Sequence, residues 1–226
     1  MYNIKKNVDK LKNGYSTFFL DPSEAREVSK YFKKNEFNVF RPYKDAEKVI
    51  FYKEKKPSVV LFKIITKEAF RHQDILGSIF SLNIDKCVFG DIIIDNDNYY
   101  FYLLESMKNY FLINFNKIKN SDIKLEEIDI DILKDYERKY KELELIVKSP
   151  RIDIVVANLS NTSRSKVKEK FKNKEIILNY NLLTNPSYIL KDNDVFSIKH
   201  FGKYKFIETI NVTKKNNYVI KLYKYI

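Results

Sequence analysis

The charge of this chain changes abruptly near Ser149-Pro150, and that step constrains what it can fold into more than any other feature. Residues 1–149 hold 27 Lys or Arg against 24 Asp or Glu, a net of +3; residues 150–226 hold 15 against 6, a net of +9. Codon usage in an A/T-rich genome is the bland source of such basicity, because 36 Lys stand against only 6 Arg and Asn, Ile, Tyr and Phe abound. Codon usage acts on both parts alike, however, and leaves the step unexplained. A polyanionic partner for the last third explains it. The stretch just before the step, 122–144, is acidic, with nine Asp or Glu against five Lys or Arg. A domain boundary at the step is therefore expected.

Other features exclude whole classes. Apolar residues make up 44% of 226, enough for packed cores and too many for a disordered chain. No run approaches eighteen uncharged apolar residues, so a spanning helix is not expected. The charged segment 1–12 lacks the apolar core of a signal peptide. Cys87 stands alone and can form no internal disulfide. The expectation is a soluble, cytoplasmic chain with no membrane partner. Four glycines (Gly14, Gly77, Gly90, Gly202) leave no room for a Gly-rich phosphate loop or a dinucleotide fingerprint, and no cofactor is expected.

The pattern predicts an α+β fold of three small domains. Residues 1–68 read as an N-terminal α/β unit. Asp21-Pro22-Ser23-Glu24 is a helix start with a capping box, and 49–52 and 58–66 read as strands joined by a turn at 53–57. Residues 69–147 read as a central ferredoxin-like or RNP-like sheet in the order αββαβ, with a possible strand before it. Its strands 88–94 and 99–104 flank the turn Asp95-Asn96-Asp97-Asn98. Tyr99 to Tyr102 are either an RNA-stacking face or core. Residues 129–144 are expected to be an acidic helical connector.

Residues 148–226 form the third block. Ile152, Val155, Val156 and Leu159 make one buried helical stripe. Ser163 is a natural N-cap for a second helix, in which Val167 and Phe171 face inward. Most other positions there are basic. Arg164, Lys168 and Lys172 fall on one face; Lys166, Lys170 and Lys174 form a second row. Six cations in eleven residues repel one another along a helix at a few tenths of a kcal/mol per i,i+4 pair, roughly. A polyanion lying between the rows would remove that cost. Strands follow at 175–178, 195–198, 203–210 and 218–225, with a turn at Asn179-Tyr180-Asn181.

At these residues the chain resembles an S4 RNA-binding domain. The segments Arg151-Ile152-Asp153, Ser163-Arg164-Ser165, Leu178-Asn179-Tyr180 and Asn193-Asp194-Val195 follow that pattern in order over about fifty residues. Tyr180 and Asn193 stand where the pattern has glycine. Over roughly 70–226 the chain is similar to the YlmH family of bacterial S4 proteins, through Arg71-His72-Gln73-Asp74-Ile75-Leu76-Gly77, Gly90-Asp91-Ile92-Ile93 and Phe201-Gly202-Lys203-Tyr204-Lys205. The resemblance implies a C-terminal S4 domain that associates with rRNA and peptidyl-tRNA on the large ribosomal subunit, in ribosome-associated quality control. The RNA-binding residues expected are Arg151, Ser163, Arg164, Ser165, Lys166, Lys168, Lys170, Lys172 and Asn179.

An enzyme is not expected. A methyltransferase needs a Gly-rich cofactor loop. Asp153 sits inside the helical pattern and reads as a structural partner rather than a pseudouridine-synthase aspartate. His72 and His200 are isolated, and Cys87 reads as a small buried hydrophobe. No small-molecule substrate or metal is implied, and a monomer is the default. The alternative is an adaptor, for example in cell division, acting mainly through protein partners.

Overall fold

The computed structural model describes residues 2–226, with six α-helices and several sheets among them. Met1, where the expected N-terminal block begins, lies outside the described residues. Two compact units divide the chain, one through Glu137 and one over Arg138–Ile226. No described helix is long and apolar enough to cross a membrane.

The first unit begins with α1 (Tyr2–Lys12) and α2 (Pro22–Ser29). The expected capping box is present: the Glu24 amide donates to Asp21 Oδ1 (2.9 Å) and the Asp21 amide to Glu24 Oε2 (3.1 Å), with Pro22 in the first turn. Strands β1 (Asn38–Phe40) and β2 (Ile50–Tyr52) pair only with each other among the described strands. The segment 53–57 is therefore no hairpin turn. It carries the chain from β2 to β3 (Val59–Ile65), which belongs to another sheet.

That sheet continues through α3 (His72–Phe80), β4 (Phe89–Asp95), β5 (Asn98–Leu104), α4 (Lys108–Asn114), a small β6–β7 hairpin (Lys117–Ile118, Ser121–Asp122) and β8 (Lys124–Ile128). Its order is β4-β5-β3-β8, with every pair antiparallel. This is the split βαβ arrangement, completed by β3, a strand that the sequence pattern assigns to the N-terminal block. Asn96 and Asp97 both take positive φ (47° and 61°), as a two-residue hairpin turn requires.

Strand alternation sends side chains to two faces. On one face Phe62, Tyr99, Phe101 and Leu103 are buried beneath Ile75 and Ile79 of α3 and Phe111 of α4. On the other, Leu61, Ile93 and Tyr102 are buried against Phe19, Tyr43, Ile50 and Leu133. Each fully buried Phe contributes roughly 1.5–3 kcal/mol. Gly90 permits the second contact: a Cβ there would lie 3.0 Å from both the Phe19 ring and Tyr102 Cβ.

The expected helical connector over 129–144 is absent. A single 3-10 turn spans Ile130–Leu133, and β9 (Tyr140–Val147) follows. Leu143, Leu145 and Val147 recur with period two, not 3.6, and pack into the core of the second unit. The acids between them, Glu142 and Glu144, take the opposite face.

The second unit continues with α5 (Ile152–Ser160), α6 (Arg164–Lys172), β10 (Ile176–Leu178), β11 (Asn181–Leu182), β12 (Val195–Ile198), β13 (Gly202–Val212) and β14 (Tyr218–Tyr225). Its sheet order is β11-β10-β12-β13-β14-β9. Ile152, Val155 and Val156 of α5 and Val167 and Phe171 of α6 close one face over Phe196, Tyr204, Phe206, Ile220 and Leu222.

Candidate nucleic-acid interface

The two units differ sharply in charge. Through Glu137 there are 23 Lys or Arg and 22 Asp or Glu; from Arg138 onward there are 19 and 8, a net of +11. Part of that excess gains a defined geometry on α6 and at Arg151, just before α5.

Arg151 precedes α5 and is held by the loop that packs over the helix start. The Ile152 amide donates to the Tyr188 carbonyl (2.8 Å) and the Asp153 amide to the Pro186 carbonyl (3.2 Å). The Arg151 guanidinium forks onto Asp153, Nε to Oδ1 at 3.1 Å and Nη2 to Oδ2 at 2.9 Å, and Nη2 also donates to Ser187 Oγ (2.9 Å). From α6, Arg164 Nη2 approaches the same Asp153 Oδ2 at 3.6 Å. One carboxylate, itself 11% exposed, thus holds two guanidinium groups that are 37% and 61% exposed. It cannot neutralise both, so the pair keeps net positive charge and free N–H groups toward solvent.

Ser163 caps α6. Its Oγ accepts from the Lys166 amide (3.5 Å) and lies 2.8 Å from Ser165 Oγ. With Val167 and Phe171 buried, a helix of 3.6 residues per turn puts Arg164, Lys168 and Lys172 along one flank. Lys166 falls on the other flank, roughly 160° from Lys168. Lys168 and Lys172 are exposed, as is Lys166.

The second row does not form. Lys170 Nζ bonds Glu175 Oε2 at 3.2 Å and lies 4.8 Å from the Phe201 ring centroid, with its side chain 16% exposed. That bond holds the Glu175 carboxyl below its ordinary pKa. Lys174 has left the helix, at φ 59°. Lys166 and the Arg164–Lys172 flank therefore lie on opposite sides of the helix and bound no groove between them.

Asn179 serves the turn. Its Nδ2 donates to Asp194 Oδ1 (2.7 Å) and its Oδ1 accepts from the Val195 amide (2.9 Å). Asp194 is buried and also accepts from the Tyr188 hydroxyl and the Lys191 amide. Asn179 and Tyr180 take φ of 47° and 67°, so the two-residue turn forms with Tyr in the glycine place, at a cost in backbone strain.

Sequence reasoning missed Ser187. It lies 36 residues from Arg151, in a loop with no periodic signal. Elsewhere, Cys87 is buried and its thiol is pushed up to about 12, chiefly by burial, so it carries no thiolate at neutral pH. No group of three His, Cys, Asp or Glu among the described residues is placed to hold a metal.

Residues 54–132 match the family model described as "Putative RNA-binding domain in YlmH". Over that span the chain is similar to the YlmH RNA-binding domain. The matched span takes in β3 and the whole four-stranded sheet. The "Ribosome-associated protein quality control protein P2" of Bacillus subtilis (strain 168) is 25% identical over 147 residues, 65% of this chain and 57% of that protein. The match therefore spans little more than half the length of that relative. A solved structure, "Cell division protein ylmH from Streptococcus pneumoniae", is 19% identical with a TM-score of 0.48, over 59% of this chain and 92% of that one.

Proposed function

We propose that this chain is a non-enzymatic RNA-binding protein. Its second unit acts as an S4 domain that grips phosphates of folded rRNA or tRNA on the large ribosomal subunit, in ribosome-associated quality control. The observation that carries this reading is the shared carboxylate of Asp153, which sets Arg151 and Arg164 side by side at the head of the Lys168–Lys172 flank. The Arg164 guanidinium, with the remaining Nη1 donors of Arg151 beside it, suits phosphate oxygens better than scattered lysines do. The α6 N-terminus, with Ser163 and Ser165, adds further donors to the same end. The family match, which falls in the first unit, supports an RNA partner, and the name of the Bacillus relative supports one on the ribosome.

Recognition is by shape, since helical RNA hides its base edges. Four to six phosphates neutralised give a log–log salt slope of roughly −3 to −5. The test is co-sedimentation with large subunits. Arg151→Ala with Arg164→Ala abolishes it, and nuclease treatment abolishes it for the unaltered protein. Undiminished association of the double variant, or association that survives nuclease, points instead to a protein-mediated adaptor.

A further inference from the structure

The six-stranded sheet of the second unit has a face that α5 and α6 do not cover, and its chemistry differs from that of the helix ridge. Alternation sends Leu222, Tyr204 and Phe206 into the core. Their neighbours Tyr223, Tyr225, Lys203 and Lys205 therefore share the opposite face. Register aligns them across strands: Lys205 is opposite Tyr223, and Tyr225 is opposite Tyr140. The Tyr140 and Tyr223 rings stack (centroids 5.5 Å, 28° between planes), and Tyr225 meets Tyr140 edge-on at 5.1 Å. Lys203 Nζ lies 4.7 Å from the Tyr225 centroid and 4.6 Å from that of Tyr180. Tyr140 is 37% exposed, and Tyr223, Tyr225, Lys203 and Lys205 are half-buried.

We propose that this face is a second RNA surface, for an unpaired single-stranded segment. The clustered rings of Tyr140, Tyr223 and Tyr225 can take an unpaired base against them, and Lys203 and Lys205 lie where the backbone phosphates of a strand held there would run. Charge complementarity selects a nucleic acid over an apolar partner, because the unit carries +11. Glu142 is opposite Tyr223 on β9 and is bonded by Lys221 at 2.8 Å, so the strand stays on the β13 side, with Lys203 and Lys205. Duplex RNA cannot use this surface, since its bases are already stacked. The helix ridge takes phosphates of folded RNA; this face takes the bases of a loop or an end. The inference rests on the reading of the protein as RNA-binding, but on different residues.

The experiment measures binding of the full chain to two probes, a fluorescent twelve-nucleotide oligouridine and a perfectly paired RNA hairpin. Tyr223→Ala lowers oligouridine affinity about 10-fold or more and leaves hairpin affinity within twofold. Tyr223→Phe, which keeps the ring, retains binding. Lys205→Glu lowers oligouridine affinity without touching a ring, and so reports on the face even where the alanine variant folds poorly. Arg164→Ala gives the converse pattern, weak hairpin binding with oligouridine binding kept. Oligouridine affinity unchanged by Tyr223→Ala and Lys205→Glu overturns the second surface and leaves the ridge standing. Hairpin affinity unchanged by Arg164→Ala overturns the ridge alone.

Discussion

Asp153 permits a test in which two physical accounts give opposite signs. If the ridge works only through net positive charge, Asp153→Ala removes a negative group and tightens RNA binding. If Asp153 positions the two arginines, its loss frees Arg151 and Arg164 to repel each other and weakens binding. The expected outcome is weaker binding, by on the order of 1–3 kcal/mol as for other charged contacts, in a filter-binding or anisotropy titration. Lys48 gives a second residue-scale prediction. Its ammonium donates to the carbonyls of Lys86 (2.9 Å) and Phe89 (2.7 Å), and burial lowers its pKa to about 8. Between that value and the ordinary lysine range the unfolded chain binds the extra proton, so this group adds stability as pH rises. The stability of Lys48→Met relative to the unaltered protein should therefore fall by on the order of 1–3 kcal/mol from pH 7 to pH 10 in denaturant titrations. At this scale the sequence was an uneven guide. Residue type and helical spacing placed Arg164, Lys168 and Lys172 correctly on one flank. They gave no warning that Lys170 would be held by Glu175, or that Asn179 would spend both ends of its amide on Asp194 and Val195. Glu175 lies five residues on, past the helix end, and the partners of Asn179 lie 15 and 16 residues on, where no local pattern points back.

Among the elements, strongly patterned ones were legible and charge-patterned ones were not. Capping chemistry marked the starts of α2 and α6, and an apolar stripe marked α5, within a residue or two. The segment 129–144 misled because its acids suggested a solvated helix, while Leu143, Leu145 and Val147 obeyed the period of a strand. Strands β2 and β3 were both visible, but partner choice is non-local, and nothing in 53–57 tells that they enter different sheets. The central sheet and the layer over it depend on one close approach, at Gly90. Gly90→Ala must push either Phe19 or the Tyr102 stem by a few tenths of an ångström. Such overpacking should destabilise the first unit by about 1–3 kcal/mol, read as a lower urea midpoint with an unchanged slope.

For the whole molecule, the division of charge outweighs its total. A net of +1 before Arg138 and +11 after it means that salt-sensitive RNA affinity should follow the second part when the two are expressed separately. Fragment 138–226 is expected to keep the steep salt slope of the full chain, and fragment 1–137 to lack it, in titrations between about 50 and 200 mM salt. The charge step read from sequence fell within the second unit rather than at its start, because β9 contributes edge acids as well as core leucines to that unit. The middle sheet has a consequence of its own. Its tyrosines and phenylalanines are sealed on both sides by the same chain, so nucleotides can reach that domain only at its helices, loops or rims. Photo-crosslinks to the segment Tyr99–Tyr102 should accordingly be missing from any ribosome-bound sample, and changes there should register as heat sensitivity rather than as lost occupancy.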